Sequence, residues 1–216
     1  MFEIFNNYLF IGAHPDDIEI WAGGFVLRIL RENKGAKVHC VVLTDGSAGY
    51  GTVEERKQES LNAAEMLGVE TYERLGLKDG SLCMYQDLPK IIANLIRKYK
   101  PDMLVTHPRT DRHPDHSTIG ETVEKSLFMA MTSPEFLEYE PHVCKNVLFF
   151  VSDPFQMPSR RLYIDISEVF EEKYKIIQRF KTQVDVLLPY IELNKFYGRQ
   201  SGLLAVEIFE PVSIVI

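Results

Sequence analysis

The hydrophobic pattern begins with Tyr8–Ala13 (YLFIGA), a short apolar run that reads as a buried strand. Ile18, Trp21, Ala22, Phe25 and Ile29 then recur at helical spacing, and the helix they predict ends near Asn33 and Gly35. Val38–Leu43 (VHCVVL) repeats the strand pattern. Thr52 with Glu55 is a capping-box pair, which opens a helix running to Leu67 and closed by Gly68. Thr71–Leu75 gives a weaker third strand, Leu88–Tyr99 a helix, and Asp102–Thr106 (DMLVT) a fourth strand. Pro114 suits the first turn of a helix that runs to Met131.

Strand–helix alternation at this spacing predicts an α/β fold: a mostly parallel sheet, right-handed crossovers and helices on both faces. Beyond residue 132 the pattern is less regular, and Pro134, Pro141, Pro154 and Pro158 break it into loops. Val147–Val151 and Arg161–Ile166 read as strands, Ser167–Gln183 as a helix, and Leu203–Phe209 as a closing strand. No repeat, low-complexity tract or linker divides the chain. Residues 1–216 are therefore one domain, with a core over 1–132 and a C-terminal extension over 133–216.

Ligands in parallel sheets collect beyond the carboxyl ends of the strands. Two chemically loaded stretches lie there: GAHPDDIE at 12–19, after the first strand, and DRHPDH at 111–116, after the fourth. Either one alone reads as a turn, because proline and aspartate favour turns and Asp16, Asp17 or Asp115 suits a helix start. Two of them at neighbouring strand ends point instead to a shared site. His14 and Asp17, three residues apart, face one way, and His116 adds a second imidazole. Two histidines and a carboxylate with open positions make a catalytic metal site rather than a closed structural one. Asp16 is left beside the metal as general base, and His113 faces a developing oxyanion with Asp115 orienting it. The parts describe hydrolysis of an amide or ester.

Charge and cysteine content narrow the partners. The net charge of −7 argues against nucleic acid, whose affinity rests on many phosphate contacts. Cys40, Cys83 and Cys144 form no CxxC and no even framework, so they read as small hydrophobes. MFEIFNNYLF lacks the pattern of a signal peptide, and no apolar run is long enough to span a bilayer, so a cytoplasmic protein without membrane attachment is expected.

AHPDDIE paired with HPDH resembles the signature of the LmbE/PIG-L family of zinc-dependent N-acetylglucosaminide deacetylases. The likeness extends through TDGSAGYGTVEERKQE at 44–59 and FYGRQSGLLAVEIF at 196–209, and is closest to the bacillithiol-biosynthesis type. The resemblance implies a Rossmann-like fold whose C-terminal part closes the pocket, and a homo-oligomer. It also implies one Zn²⁺ on His14, Asp17 and His116, Asp16 as base, His113 with Asp115 at the oxyanion, and an N-acetylated amino sugar as substrate. Another divalent ion such as Fe²⁺ also suits the ligands.

Arg56 falls where the family has a sugar-contacting arginine; without the resemblance it reads as a solvated helix charge. Arg109 and Arg112 flank the second motif and are candidates for an anionic aglycone. Gly46–Gly51 reads as a loop near the pocket, with Tyr50 packing on a sugar. Glu19 is either a neighbour of a metal ligand or a first-turn helix charge, and Gly23 and Gly24 imply close packing on the sheet or substrate. Trp21 reads as core, His39 as structural, and His107 and His142 carry no motif. Two alternatives share the residues: a non-catalytic sugar-binding protein, and a non-haem iron(II) oxygenase, which the parallel pattern disfavours. A nucleotide-binding domain is weakened by the absence of GxGxxG after the first strand.

Overall fold

The computed structural model describes residues 5–132 and 135–213, so Pro134 and residues 1–4 of the N-terminal stretch lie outside the described residues. β1 (Asn7–Gly12), α1 (Asp17–Glu32), β2 (Lys37–Thr44), α2 (Val53–Leu67), β3 (Thr71–Leu77), α3 (Leu88–Tyr99), β4 (Met103–Thr106) and α4 (Pro114–Met131) alternate as the pattern predicts. The C-terminal part supplies β5 (Asn146–Phe150), β6 (Leu162–Asp165), α5 (Phe170–Ile177), α6 (Val184–Gln200) and β7 (Val206–Ser213). Among the described residues these strands form one sheet of order β3-β2-β1-β4-β5-β7-β6. Neighbours from β3 to β5 run parallel, and β7 runs antiparallel to β5 and β6.

Side chains alternate across the sheet, and the core divides accordingly. Tyr8 and Phe10 of β1 pack with Phe25 of α1, Leu67 of α2, Phe170 of α5 and Leu187 of α6. Leu9 and Ile11 pack on the other face with Ile92 and Ile96 of α3 and Ile119 and Val123 of α4. Thr52 and Glu55 close the expected capping box, and Gly68 ends α2 in the left-handed conformation.

Three elements of the C-terminal part differ from expectation. The helix predicted over 167–183 is α5 alone, shorter at both ends. The second helix, α6, is unpredicted: Pro189 lies inside it and only Leu187, Ile191 and Gly198 are buried, so it shows no clear apolar stripe. The closing strand starts at Val206 rather than Leu203 and continues past Pro211.

Lys173 and Glu207 fasten this part to α1. Both are buried and 2.7 Å apart. Lys173 also donates to the Ile20 carbonyl at 2.7 Å, and Glu207 accepts the Gly24 and Phe25 amides at 2.8 and 2.7 Å. A Cβ on Gly24 would stand 2.7 Å from Ile166. Gly23–Gly24 thus serves close packing of α1 against the C-terminal part. No helix among the described residues is long and apolar enough to cross a membrane.

Candidate metal and hydrolytic site

β1 and β4 are neighbours where the sheet order reverses, and both motifs leave the sheet there. At the first motif, Asp17 accepts the His14 amide at 2.6 Å and returns its own amide to the His14 carbonyl at 3.2 Å. Asp16, at the start of α1, has φ 140 and makes no capping bond. A non-glycine residue in that region costs about 1–3 kcal/mol and is a mark of functional sites. Its carboxylate instead meets Arg56, so a helix-capping role does not account for it.

The candidate ligand atoms converge. His14 Nδ1 lies 3.2 Å from Asp17 Oδ2 and 3.2 Å from His116 Nε2, and His116 Nε2 lies 3.4 Å from Asp17 Oδ1. Tetrahedral ligands about 2.0–2.1 Å from a zinc ion are about 3.3 Å from one another. The two imidazole nitrogens therefore stand at the spacing of two ligands of one small divalent ion, with one Asp17 oxygen near each of them. Burial opposes charge on both histidines, yet Asp17 and the other carboxylates hold His14 well above its ordinary range and His116 at about 9. Asp17 is pushed up by burial and pulled well below its usual range by His116, His107 and His14. So negative a pocket attracts a cation.

Asp16 stands beside this cluster, buried, with Oδ2 2.8 Å from Arg56 Nη2. Burial raises its carboxyl to about 7 against the pull of Arg56, the range that suits a general base at neutral pH. Arg56 itself is buried, and also donates to the Gly46 carbonyl at 2.8 Å and the Pro15 carbonyl at 3.0 Å. It is therefore not a solvated helix charge. A Cβ on Gly49 would stand 2.1 Å from the Arg56 guanidinium, so the glycine-rich loop makes room for this arginine.

His113 is exposed, its ring 4.5 Å from that of His14 and 4.6 Å from that of His116. The Asp115 amide donates to His113 Nδ1 at 3.3 Å, which leaves the proton of the neutral ring on Nε2. Burial and the two neighbouring histidines lower its pKa. It is the backbone amide of Asp115, not its carboxylate, that meets His113. The Asp115 carboxylate accepts the Gly80 and Leu82 amides at 2.8 and 2.9 Å and lies 3.4 Å from His14 Nε2. Those two amides draw it away from His113 and toward His14.

Three residues without a role in the sequence reading belong to the cluster. Asp79, beyond β3, lies 3.0 Å from His14 Nε2. His107, immediately after β4, is fully buried; its Nε2 accepts the Ala13 amide at 3.0 Å and lies 3.1 Å from Asp17. Asp111 lies 3.2 Å from His116 Nδ1. Their position just past strand ends was the available signal. Asp17, His107 and His116 bring ligand atoms within 4.8 Å, as do His14, Asp79 and Asp115, and His14, His113 and His116.

The remaining substrate candidates make their bonds with residues outside this cluster. Tyr50 is 70% exposed and offers its carbonyl to Gln183. Arg112 pairs with Asp153 at 2.7 Å and lies over the Phe155 ring. Arg109 pairs with Glu124 and lines, with Ser152 and Asp153, a cavity of about 670 Å³ whose lining does not include His14, Asp17 or His116. His39 stacks on Tyr99, and His142 meets the Pro101 carbonyl at 2.8 Å. The three cysteines are free thiols.

The chain is similar to several known proteins. A deacetylase of Escherichia coli (strain K12), YaiS, described as uncharacterized, is 35% identical over 142 residues, 61% of this chain and 72% of that protein. A probable N-acetyl-alpha-D-glucosaminyl L-malate deacetylase 2 of Bacillus subtilis (strain 168) is 26% identical over 199 residues, 86% of this chain and 87% of that one. The crystal structure of conserved protein TT1542 from Thermus thermophilus superposes with TM-score 0.85 at 25% identity, over 98% of this chain and 97% of that one. Residues 9–127, more than half of the chain and spanning both motifs, match the family described as PIG-L, GlcNAc-PI de-N-acetylase. The chain belongs to the PIG-L family.

Proposed function

We propose that the protein is a metal-dependent N-deacetylase that hydrolyses the acetamide of an N-acetylglucosamine-containing small molecule to acetate and a free amino sugar. One observation carries the reading: two imidazole nitrogens at the spacing of metal ligands, each with an Asp17 oxygen close by, stand beside Asp16, a buried carboxylate raised to about 7. The names of the relatives, deacetylases and a glucosaminyl-malate deacetylase, support the same class of reaction.

In this reading His14 Nδ1, Asp17 and His116 Nε2 hold one Zn²⁺. The bound ion supplies Lewis acidity to the acetamide carbonyl and acidifies water. Asp16 takes a proton from the attacking water and returns it to the departing amine. Arg56 holds Asp16 in its strained conformation, so its part is exerted on the base. His113 donates its Nε2 proton toward the oxygen that becomes negative, and the Asp115 amide keeps that tautomer. The C–N bond then breaks. Tyr50, Arg109 and Arg112 are assigned to the aglycone side, and the C-terminal part to closing the pocket. The reading also carries a cytoplasmic homo-oligomer, as the family likeness implies.

The test is acetate release from N-acetylglucosaminyl-malate and from N-acetylglucosamine by chelated protein, with and without added Zn²⁺. Release that requires the ion is expected. Stoichiometric ion uptake without release from either would overturn the reading.

A further inference from the structure

We infer that Asp111 is a positioning residue that sets both histidines of the second motif, and that Ser152 makes this setting depend on the C-terminal part. The inference rests on His116 as a metal ligand, as proposed above. Asp111 opens the DRHPDH stretch, and one carboxylate serves three partners. Oδ1 accepts the His113 amide at 2.7 Å, while Oδ2 faces His116 Nδ1 at 3.2 Å and accepts the Ser152 hydroxyl.

An ionised carboxylate can only accept, so Nδ1 of His116 carries a proton toward it. When the ring is neutral, as a ligating imidazole must be, this leaves the lone pair on Nε2, 3.2 Å from His14 Nδ1 and 3.4 Å from Asp17 Oδ1, where an ion would sit. A partner on the outer nitrogen fixes the tautomer and orientation of a ligating histidine. His107 stacks on the His116 ring at 3.9 Å but makes no hydrogen bond to it, so it does not select the tautomer. His14 has two carboxylates, Asp79 and Asp115, near its outer nitrogen; His116 has Asp111. The second ligand is the more vulnerable of the two.

Ser152 lies just past β5, which is paired with β4 from Met103 to Thr106. The sheet therefore fixes its distance from the loop that carries Asp111. Asparagine at 111 has the shape of aspartate but a single acceptor oxygen, which cannot serve the His113 amide and the His116 imidazole together.

The experiment measures Zn²⁺ affinity by competition with a chromophoric chelator for wild type, Asp111→Asn, Asp111→Ala and Ser152→Ala. Co²⁺ absorption spectra and thermal unfolding of the metal-free proteins accompany it. Both Asp111 variants are expected to bind Zn²⁺ about 10–100-fold more weakly and to shift the Co²⁺ bands. Ser152→Ala should weaken binding several-fold, and carries the test if the Asp111 variants do not fold. Unchanged affinity and Co²⁺ bands, with only the metal-free melting temperature lowered, would reduce Asp111 to a loop brace and overturn the inference. A wild-type protein that binds no ion would overturn it together with the metal site.

Discussion

Glu19 gives the sharpest quantitative test of the site's electrostatics. It lies in the first turn of α1 at 0% exposure, and neither carboxyl oxygen has a hydrogen-bond partner among the described residues. Burial raises its pKa from 4.5 to about 8, and the charges of Asp16 and Asp17 add to the rise. Its own amide and the Tyr72 hydroxyl oppose the shift, although Glu19 and Tyr72 do not reach hydrogen-bonding geometry. The folded chain thus binds this proton more tightly than the unfolded one. The associated stability is fully present below about pH 4.5 and is lost as pH rises through about 8. From pH 4.5 to pH 7 the loss is about 3 kcal/mol, at about 1.4 kcal/mol per pH unit. Glu19→Gln keeps the shape and removes the titration. Urea unfolding of both proteins should be followed from pH 4.5 to 8 with chelator present, because a bound cation would favour ionised Glu19. The stability of the variant relative to wild type should climb by about 3 kcal/mol between pH 4.5 and 7. Any fixed cost of burying the amide displaces that curve without changing its slope. A difference that stays constant over this range would show that Glu19 ionises freely in the folded protein and would refute the argument.

Three further outcomes follow from the geometry. Asp16→Asn should keep stoichiometric metal and lose about 10²–10⁴-fold in kcat, read from acetate release beside a metal assay; undiminished turnover removes Asp16 from the mechanism. Gly120→Ala would place a Cβ 2.1 Å from the Pro108 carbonyl oxygen, backbone that cannot yield cheaply. It should destabilise the fold by at least about 3 kcal/mol in urea and weaken metal binding, since the displaced loop leads to Asp111. Lys173→Met leaves Glu207 buried and unpaired and should cost about 3–5 kcal/mol, part of it recovered by adding Glu207→Gln; two independent, additive losses would contradict the pairing.

Much of the fold was legible because its central strands are buried on both faces and read as apolar runs, as in Tyr8–Ala13 and Val38–Leu43. β3 was weaker because it is an edge strand whose residues are mostly half-buried. α6 was illegible because Pro189 interrupts it and few of its residues meet the core. In the site, His14, Asp16, Asp17, His113, Asp115 and His116 stand together because a local turn shapes each motif and the parallel pairing of β1 with β4 brings the two turns side by side. What the sequence does not encode locally is which side chains reach across from other strands. Asp79 arrives from beyond β3, and the Asp115 carboxylate turns to the Gly80 and Leu82 amides rather than to His113. Arg56 illustrates the same point: only the folded chain reveals that this helix-start arginine is bound to Asp16 forty residues earlier.

In the proposed function, one ion held by His14, Asp17 and His116 makes the protein a deacetylase. The most direct measurement titrates chelated protein with Zn²⁺ and follows acetate release from N-acetylglucosaminyl-malate alongside measured occupancy, with His116→Ala in parallel. Activity should rise with occupancy up to one ion per chain in the wild type, with neither tight binding nor release in the variant. Equal acetate release from His116→Ala, or release that is independent of occupancy, would contradict that role of the ion.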